Sequence, residues 1–463
     1  MDLKHSGFPV PSDYFGVLWA LSGIRDLLVL EHGSTGTCNY NAFNYMIMNR
    51  QTPKGKLFSS GMDEDDVVMG RDEKIRDAIA ELDCNYHPKM IALVATGVTS
   101  VIGLDLKGII EEIQPTTNAR LLSFSSGGFA GDYTAGIREV FGSLARDVAD
   151  DGSKDASTKA DEFTVNIIGP TIDSFNIVSD LAEIERMLGL MGVRVNTVFT
   201  CNTDVDSIRS LGCASLNLVT RDIGLEAAEI LKERFGTPYY YGLPFGVRGS
   251  IEWMKDISGI LGIELDRKVL KAEVERYGFS ILELANHMQN FDHLKAMISC
   301  PPDYSIGLAA MMREEWGIEP ALMVLPAYSA NVQSEEQGSM QNSTKARMQD
   351  RTRSMTRSMT RARIQAAEVD GDSGTGKESE LLIEPDGQTL KEAIDSIKPQ
   401  IIFGNSYDLK IAKDVPIRIH AAFPAFDHIY RYDGTPFVGL RGHAYLTQLI
   451  INQLNLNPEV FRN

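Results

Sequence analysis

Pro88-Lys-Met-Ile-Ala-Leu-Val-Ala-Thr-Gly97, carried on to Ile113, is the stretch on which the fold turns. Met90–Ala95 is an unbroken, β-rich apolar run of strand length. Thr96-Gly97 makes a turn, and Val101–Ile113 then carries apolar residues at helical spacing. A strand apolar on both faces is buried on both sides, as in a parallel sheet, and a helix directly behind it makes the pair one crossover unit. The same alternation runs outward. Upstream, Asp13–Gly23 reads as a helix, Leu27–Leu30 as a short strand and Asp72–Leu82 as a helix. Downstream, Leu121–Phe124 is a strand that ends in the small-residue loop Ser125–Gly128.

Two further series repeat this pattern. Thr164–Ile168 is a strand, Gly169-Pro170 a turn, Asp180–Leu190 a helix and Arg194–Thr200 the next strand. Leu216–Val219, Gly224–Phe235 and Tyr239–Tyr241 continue that series. Ala296–Ser299, Tyr304–Trp316, Ala321–Leu325, Gln400–Phe403 and Ile417–His420 form the third. The expected fold class is α/β, with three doubly wound, parallel-sheet (Rossmann-like) domains over 1–155, 162–280 and 281–463. In such sheets binding sites lie at the carboxyl ends of the strands. The polar run Asp150–Asp161 reads as a linker or loop.

Residues 329–380 break the pattern. They hold the repeat Arg353-Ser-Met-Thr356, Arg357-Ser-Met-Thr360, a basic run over Lys345–Arg363 and an acidic, glycine-containing tail. The segment reads as a disordered or weakly helical insertion between two strands of the third domain. Inside it, Gly371-Asp-Ser-Gly-Thr-Gly376-Lys377 imitates a phosphate-binding loop. Glu378 stands where the magnesium-binding hydroxyl belongs, and no strand precedes the loop, so no nucleotide is expected on this chain.

Composition narrows the function. The 463 residues are 43% hydrophobic, enough for large cores, and 63 acidic against 45 basic residues give a net charge of −18. An acidic whole argues against nucleic acid as a partner, since that affinity is built on basic surface. Phe15–Leu30 is interrupted by Arg25 and Asp26 and is too short to span a bilayer, so no membrane partner is expected. Asp2 interrupts what would be the basic start of a signal peptide. Cys38, Cys84, Cys201, Cys213 and Cys300 are scattered and odd in number, with no CxxC pair, which fits a reducing cytoplasm. Neither a Ser-His-Asp spacing nor an HExxH motif is present.

A series of short motifs, each weak alone, becomes specific by its order along the chain. It runs through Ser12-Asp-Tyr-Phe-Gly16, His32-Gly-Ser-Thr-Gly-Thr-Cys38, Met62-Asp-Glu-Asp65 and Pro88–Gly97 with Val101-Ile-Gly-Leu-Asp105. Met187-Leu188 with Met191-Gly-Val193, Gly404-Asn-Ser-Tyr407, Phe423-Pro-Ala-Phe-Asp427 and Gly439-Leu-Arg-Gly442 complete it. With this series the chain resembles the nitrogenase component 1 family, and its β-type subunits more than its α-type ones. The resemblance implies an α-type partner subunit, an ATP-dependent iron–sulfur reductase as electron donor and an α2β2 heterotetramer. It also implies that the catalytic cofactor is held by the α-type subunit, so no catalytic residue is expected here.

The same resemblance marks the site. Nitrogenase β subunits give three cysteines from their N-terminal loops to half of an eight-iron cluster at the αβ interface. The matching positions here are Ser12, Thr37 and Gly97. Soft thiolates suit cluster iron, whereas a hydroxyl resists deprotonation and glycine has no ligand at all. In the β-like half of the cofactor-assembly scaffold and the β-like subunit of dark protochlorophyllide reductase, a four-iron cluster takes three cysteines from the α-like partner. The single remaining ligand comes from the loop matching His32–Cys38. Cys38, one place beyond the register of Thr37, is the candidate single iron–sulfur ligand for a [4Fe-4S] cluster shared with the partner. A half-buried core thiol is the alternative. Three functions stay open: a β-type subunit of a nitrogenase-like oxidoreductase, an assembly scaffold for a metal cofactor, and a structural partner without its own cluster.

Overall fold

The structure, a computed structural model, describes residues 10–49, 56–150, 163–277, 291, 294–325, 379–383, 385–428 and 432–457. Most of the linker 150–161 and of the insertion 329–380, with the phosphate-loop imitation at 371–377, lies outside the described residues.

The described chain builds three parallel sheets. The first contains β1 (Leu27–His32), β2 (Leu57–Ser59), β3 (Met90–Ala95) and β4 (Arg120–Phe124), in the order β2-β1-β3-β4. The second contains β5 (Thr164–Ile168), β6 (Arg194–Phe199), β7 (Leu216–Val219) and β8 (Tyr239–Tyr241), in the order β6-β5-β7-β8. The third contains β9 (Lys295–Ser299), β10 (Glu319–Leu325), β11 (Glu380–Ile383), β12 (Ile401–Gly404) and β13 (Ile417–His420), in the order β11-β10-β9-β12-β13. In each sheet the chain winds first to one side of the opening strand and then crosses to the other. That reversal leaves a crevice between the carboxyl ends of two neighbouring strands. It falls between β1 and β3, β5 and β7, and β9 and β12.

The helix α1 (Asp13–Ser22) precedes the first sheet and α7 (Tyr133–Ser143) follows it, and its strands are linked through α2 (Thr35–Asn49), α3 (Glu64–Met69), α4 (Glu73–Tyr86), α5 (Gly97–Ile102) and α6 (Leu106–Ile113). The helix expected over Val101–Ile113 is two helices. Gly103 takes a left-handed conformation (φ 70°) that ends α5, and the Asp105 carboxylate caps α6 by accepting from the Gly108 N–H at 3.0 Å. β3 is buried along its whole length, as its apolar run requires.

The three sheets share their cores. Val29 and Val94 of the first sheet cluster with Ile168, Phe199 and Val219 of the second. Val165 and Leu216 of the second cluster with Ile298 and Phe403 of the third. No helix among the described residues is long and apolar enough to cross a membrane.

Candidate functional site

The carboxyl ends of β1, β3 and β4 are tied into one surface. The His32 carbonyl accepts from the Thr96 N–H (3.3 Å), the Thr96 hydroxyl (2.8 Å) and the Thr99 hydroxyl, so the turn after β1 is bolted to the turn after β3. The His32 side chain meets the Ser60 hydroxyl at 2.8 Å through Nδ1. Burial lowers the pKa of this ring, and it serves the loop framework. On the other flank the fully buried Asp13 carboxylate accepts from the Gly128 and Ala130 N–H groups, both at 3.3 Å. This fixes the loop after β4.

Ser12 and Gly97 meet at that loop. The position a Cβ would take on Gly128 lies 3.4 Å from the Ser12 hydroxyl. A Cβ on Gly97 would lie 3.6 Å from the Gly127 carbonyl and 3.8 Å from the Phe129 ring. Thr37 stands on the neighbouring turn after β1, half-exposed, with its hydroxyl 3.0 Å from that of Ser34. The three positions marked by the motif series therefore border one end of one sheet.

Cys38 points elsewhere. The sequence suggests a loop there, but the structure places Cys38 in the first turn of α2, with its N–H donating to the Ser34 carbonyl at 3.1 Å. Its thiol is buried and hydrogen-bonds with Glu31 and Ser59. Burial, and then the charge of Glu31, push its pKa up to about 12. A ligand to iron must be a thiolate, and within this chain no cation is among the groups that shift the Cys38 thiol. Among the described residues no three of His, Cys, Asp and Glu are grouped to hold a metal ion. The donor set offers two hydroxyls, a bare glycine and a single buried thiol. It does not fit half of a thiolate-held cluster.

Glu31 is a site residue that the motifs do not mark. It is only 1% exposed, accepts from the Tyr14 hydroxyl, and Asn41 in turn donates to that hydroxyl at 2.9 Å. Its signal in the sequence is a lone acid inside the apolar run Leu27–His32. Burial raises its pKa from 4.5 to about 7, against hydrogen bonds from Cys38 and Asn41 that lower it. The folded chain thus holds this proton more tightly than the unfolded chain does. Stability should fall as pH rises from about 4.5 to about 7 and stay level above that, by a total on the order of 3 kcal/mol. Glu31→Gln should flatten this part of the pH profile in urea titrations. An unaltered slope would refute the assignment.

Exposed apolar side chains stand close in sequence to these positions. Val10 precedes Ser12, Tyr40 and Phe43 follow Thr37 on α2, Val98 and Val101 follow Gly97 on α5, and Phe129 caps the loop after β4. All six are exposed, with Val101 at 74%, Phe129 at 70% and Phe43 at 56%.

The model of the family described as nitrogenase component 1 type oxidoreductase matches residues 12–455, and the chain belongs to that family. Among its relatives, it is similar to the B subunit of the light-independent protochlorophyllide reductase of Nostoc punctiforme. The two are 24% identical over 457 residues, covering 96% of this chain and 82% of the relative. The protein of the same name from Leptolyngbya boryana is 23% identical over 460 residues, with the same coverage. In fold the chain is similar to the solved structure titled "Nitrogenase Cp1 at pH 6.5", with a TM-score of 0.73 at 19% identity, over 99% of this chain and 95% of that one. The β-type resemblance carried by the motifs agrees with these relatives.

Proposed function

We propose that the chain works as the β-type subunit of a nitrogenase-like oxidoreductase, and that the carboxyl end of its first sheet is where an α-type subunit docks. The observation that carries this reading is the exposure of Tyr40, Phe43, Val98, Val101 and Phe129, on the helices that hold Thr37 and Gly97 and on the loop after β4. Such side chains lose their contact with water when a partner covers them, and buried aromatic anchors supply most of the affinity in such interfaces. The iron–sulfur cluster of the complex lies under that partner and takes its thiolates from it. This chain contributes the covering face, shaped by Ser12, Thr37 and Gly97. Cys38 stays a protonated core thiol. An ATP-dependent iron–sulfur reductase delivers the electrons, and two αβ pairs form an α2β2 heterotetramer.

The test is co-purification with the α-type partner after Phe43→Asp and Phe129→Asp. Each change puts a charge on an exposed position and should leave the melting temperature of the isolated chain unchanged. Recovery of the complex should fall at least about tenfold for the pair of changes. Undiminished recovery would place the interface elsewhere.

A further inference from the structure

The crevices of the second and third sheets open on a shared cavity of about 90 Å³. Its walls come from the residues that follow the strands flanking each reversal. Pro170 and Asp173 follow β5, Thr220 and Arg221 follow β7, Cys300 and Asp303 follow β9, and Asn405 follows β12. Two switch-point crevices opening on one space is the placement in which doubly wound folds bind small molecules.

The charges in the walls are unequal. Arg221 is already engaged. Its guanidinium donates to the Thr171 hydroxyl (2.7 Å) and the Ser174 hydroxyl (2.9 Å), and it pairs with Asp173 at 3.5 Å. Asp222, just behind, pairs with Arg138 at 3.3 Å. That leaves two carboxyl groups on the cavity with no ion pair among the described residues. Asp180, from the helix α8 (Ile177–Leu190), accepts from the Phe437 N–H at 2.8 Å and from Asn176 at 3.3 Å. Asp303, in the first turn of the helix Pro302–Met311, accepts from the Asp222 N–H at 3.1 Å and from the Tyr241 hydroxyl. Beside them the Tyr304 hydroxyl is buried without a hydrogen-bond partner among the described residues. The rest of the wall is apolar, with Phe175, Leu181, Ile184, Leu243, Ala422 and Phe423.

We propose that this cavity is a binding site of the chain's own for a compact organic cation, an amine with a short apolar body. Its N–H donors would meet Asp180, Asp303 and the Tyr304 hydroxyl. A buried carboxyl without a cation is a costly arrangement that an incoming cation relieves. Burial raises the pKa of both acids, to about 8 for Asp180 and about 7 for Asp303, and for Asp303 it outweighs the opposing charge of Arg221. The volume is below the roughly 150 Å³ of an apolar cavity that takes benzene, so the occupant has about five non-hydrogen atoms. The site is separate from the face on the first sheet and does not depend on the docking of a partner there.

The test uses three probes with one carbon skeleton on the full chain, isobutylamine, isobutanol and isobutyrate, followed by ligand-observed NMR titration. Isobutylamine should bind at least about tenfold tighter than either of the others. Asp303→Asn keeps an oxygen to accept from Asp222 and Tyr241, and it should remove that preference with the fold intact. Ala422→Phe fills the cavity and should abolish binding of all three probes. Equal binding of the three probes, a preference for isobutyrate, or an amine preference that survives Asp303→Asn would each overturn the assignment.

Discussion

Gly16→Ala is expected to destabilise the chain by roughly 3 kcal/mol or more, which is at or above the upper end of ordinary overpacking. A Cβ on Gly16 would stand 1.8 Å from the carbonyl oxygen of Tyr133 and 2.7 Å from its carbon. Across the same contact a Cβ on Gly136 would stand 1.9 Å from the Asp13 carbonyl oxygen. α1 and α7 therefore touch backbone to backbone. Neither neighbour is a flexible side-chain end that can swing aside. The helices also cannot separate cheaply, because the Asp13 N–H donates to the Gly131 carbonyl at 3.0 Å and the Tyr133 N–H to the Pro11 carbonyl at 2.8 Å. These bonds hold Ser12 against the loop after β4, so a forced separation would disturb the docking face as well. Gly189→Ala is the control. It lies inside α8 with nothing near its added methyl, and it should be neutral or stabilising by up to about 1 kcal/mol. Urea unfolding of both variants decides the matter. Similar midpoints for the two would refute the close contact.

Arg221→Met is the second large effect, at about 3–5 kcal/mol. The methionine has nearly the length of the arginine stem but none of its donors. The substitution would strand Asp173, whose side chain is 3% exposed, together with the Thr171 and Ser174 hydroxyls that now receive the guanidinium. Removing one member of a buried pair costs far more than the pair contributes, because the survivor stays charged in a poor solvent. Arg221→Met with Asp173→Asn should therefore recover much of the loss. Thermal unfolding of the single and double variants tests this. A double variant as unstable as the single one would show that the cost lies in lost packing and not in the stranded charge.

What the sequence discloses and what it hides follow from the range of the forces involved. Met90–Ala95 and Ile401–Phe403 announce buried parallel strands because a run apolar on both faces has few other uses. α2 is hidden. Thr35-Gly-Thr-Cys-Asn-Tyr-Asn opens with poor helix formers, and its helix is held by the tertiary contacts of Cys38 and Asn41 with Glu31 and Tyr14. β11 is hidden by the insertion before it, and β2 by its three-residue length. The family motifs mark Ser12, Thr37 and Gly97, which do border one end of the first sheet. The direction of the Cys38 thiol is not legible, since it depends on the turn of a helix that the local sequence does not specify. The cavity walls are less legible still. Asp180, Arg221 and Asp303 come from separate units and meet only after the second and third sheets have packed.

The most direct test of the account is the iron content and the EPR spectrum of the reduced complex with the α-type partner, for the natural chain and for Cys38→Ser. The expected result is an iron–sulfur signal that is identical in the two complexes, because the buried thiol takes no part in holding the cluster. A signal lost or altered in an intact Cys38→Ser complex would contradict the assignment of Cys38 to the core. An assembled complex without iron in either form would contradict the oxidoreductase reading itself.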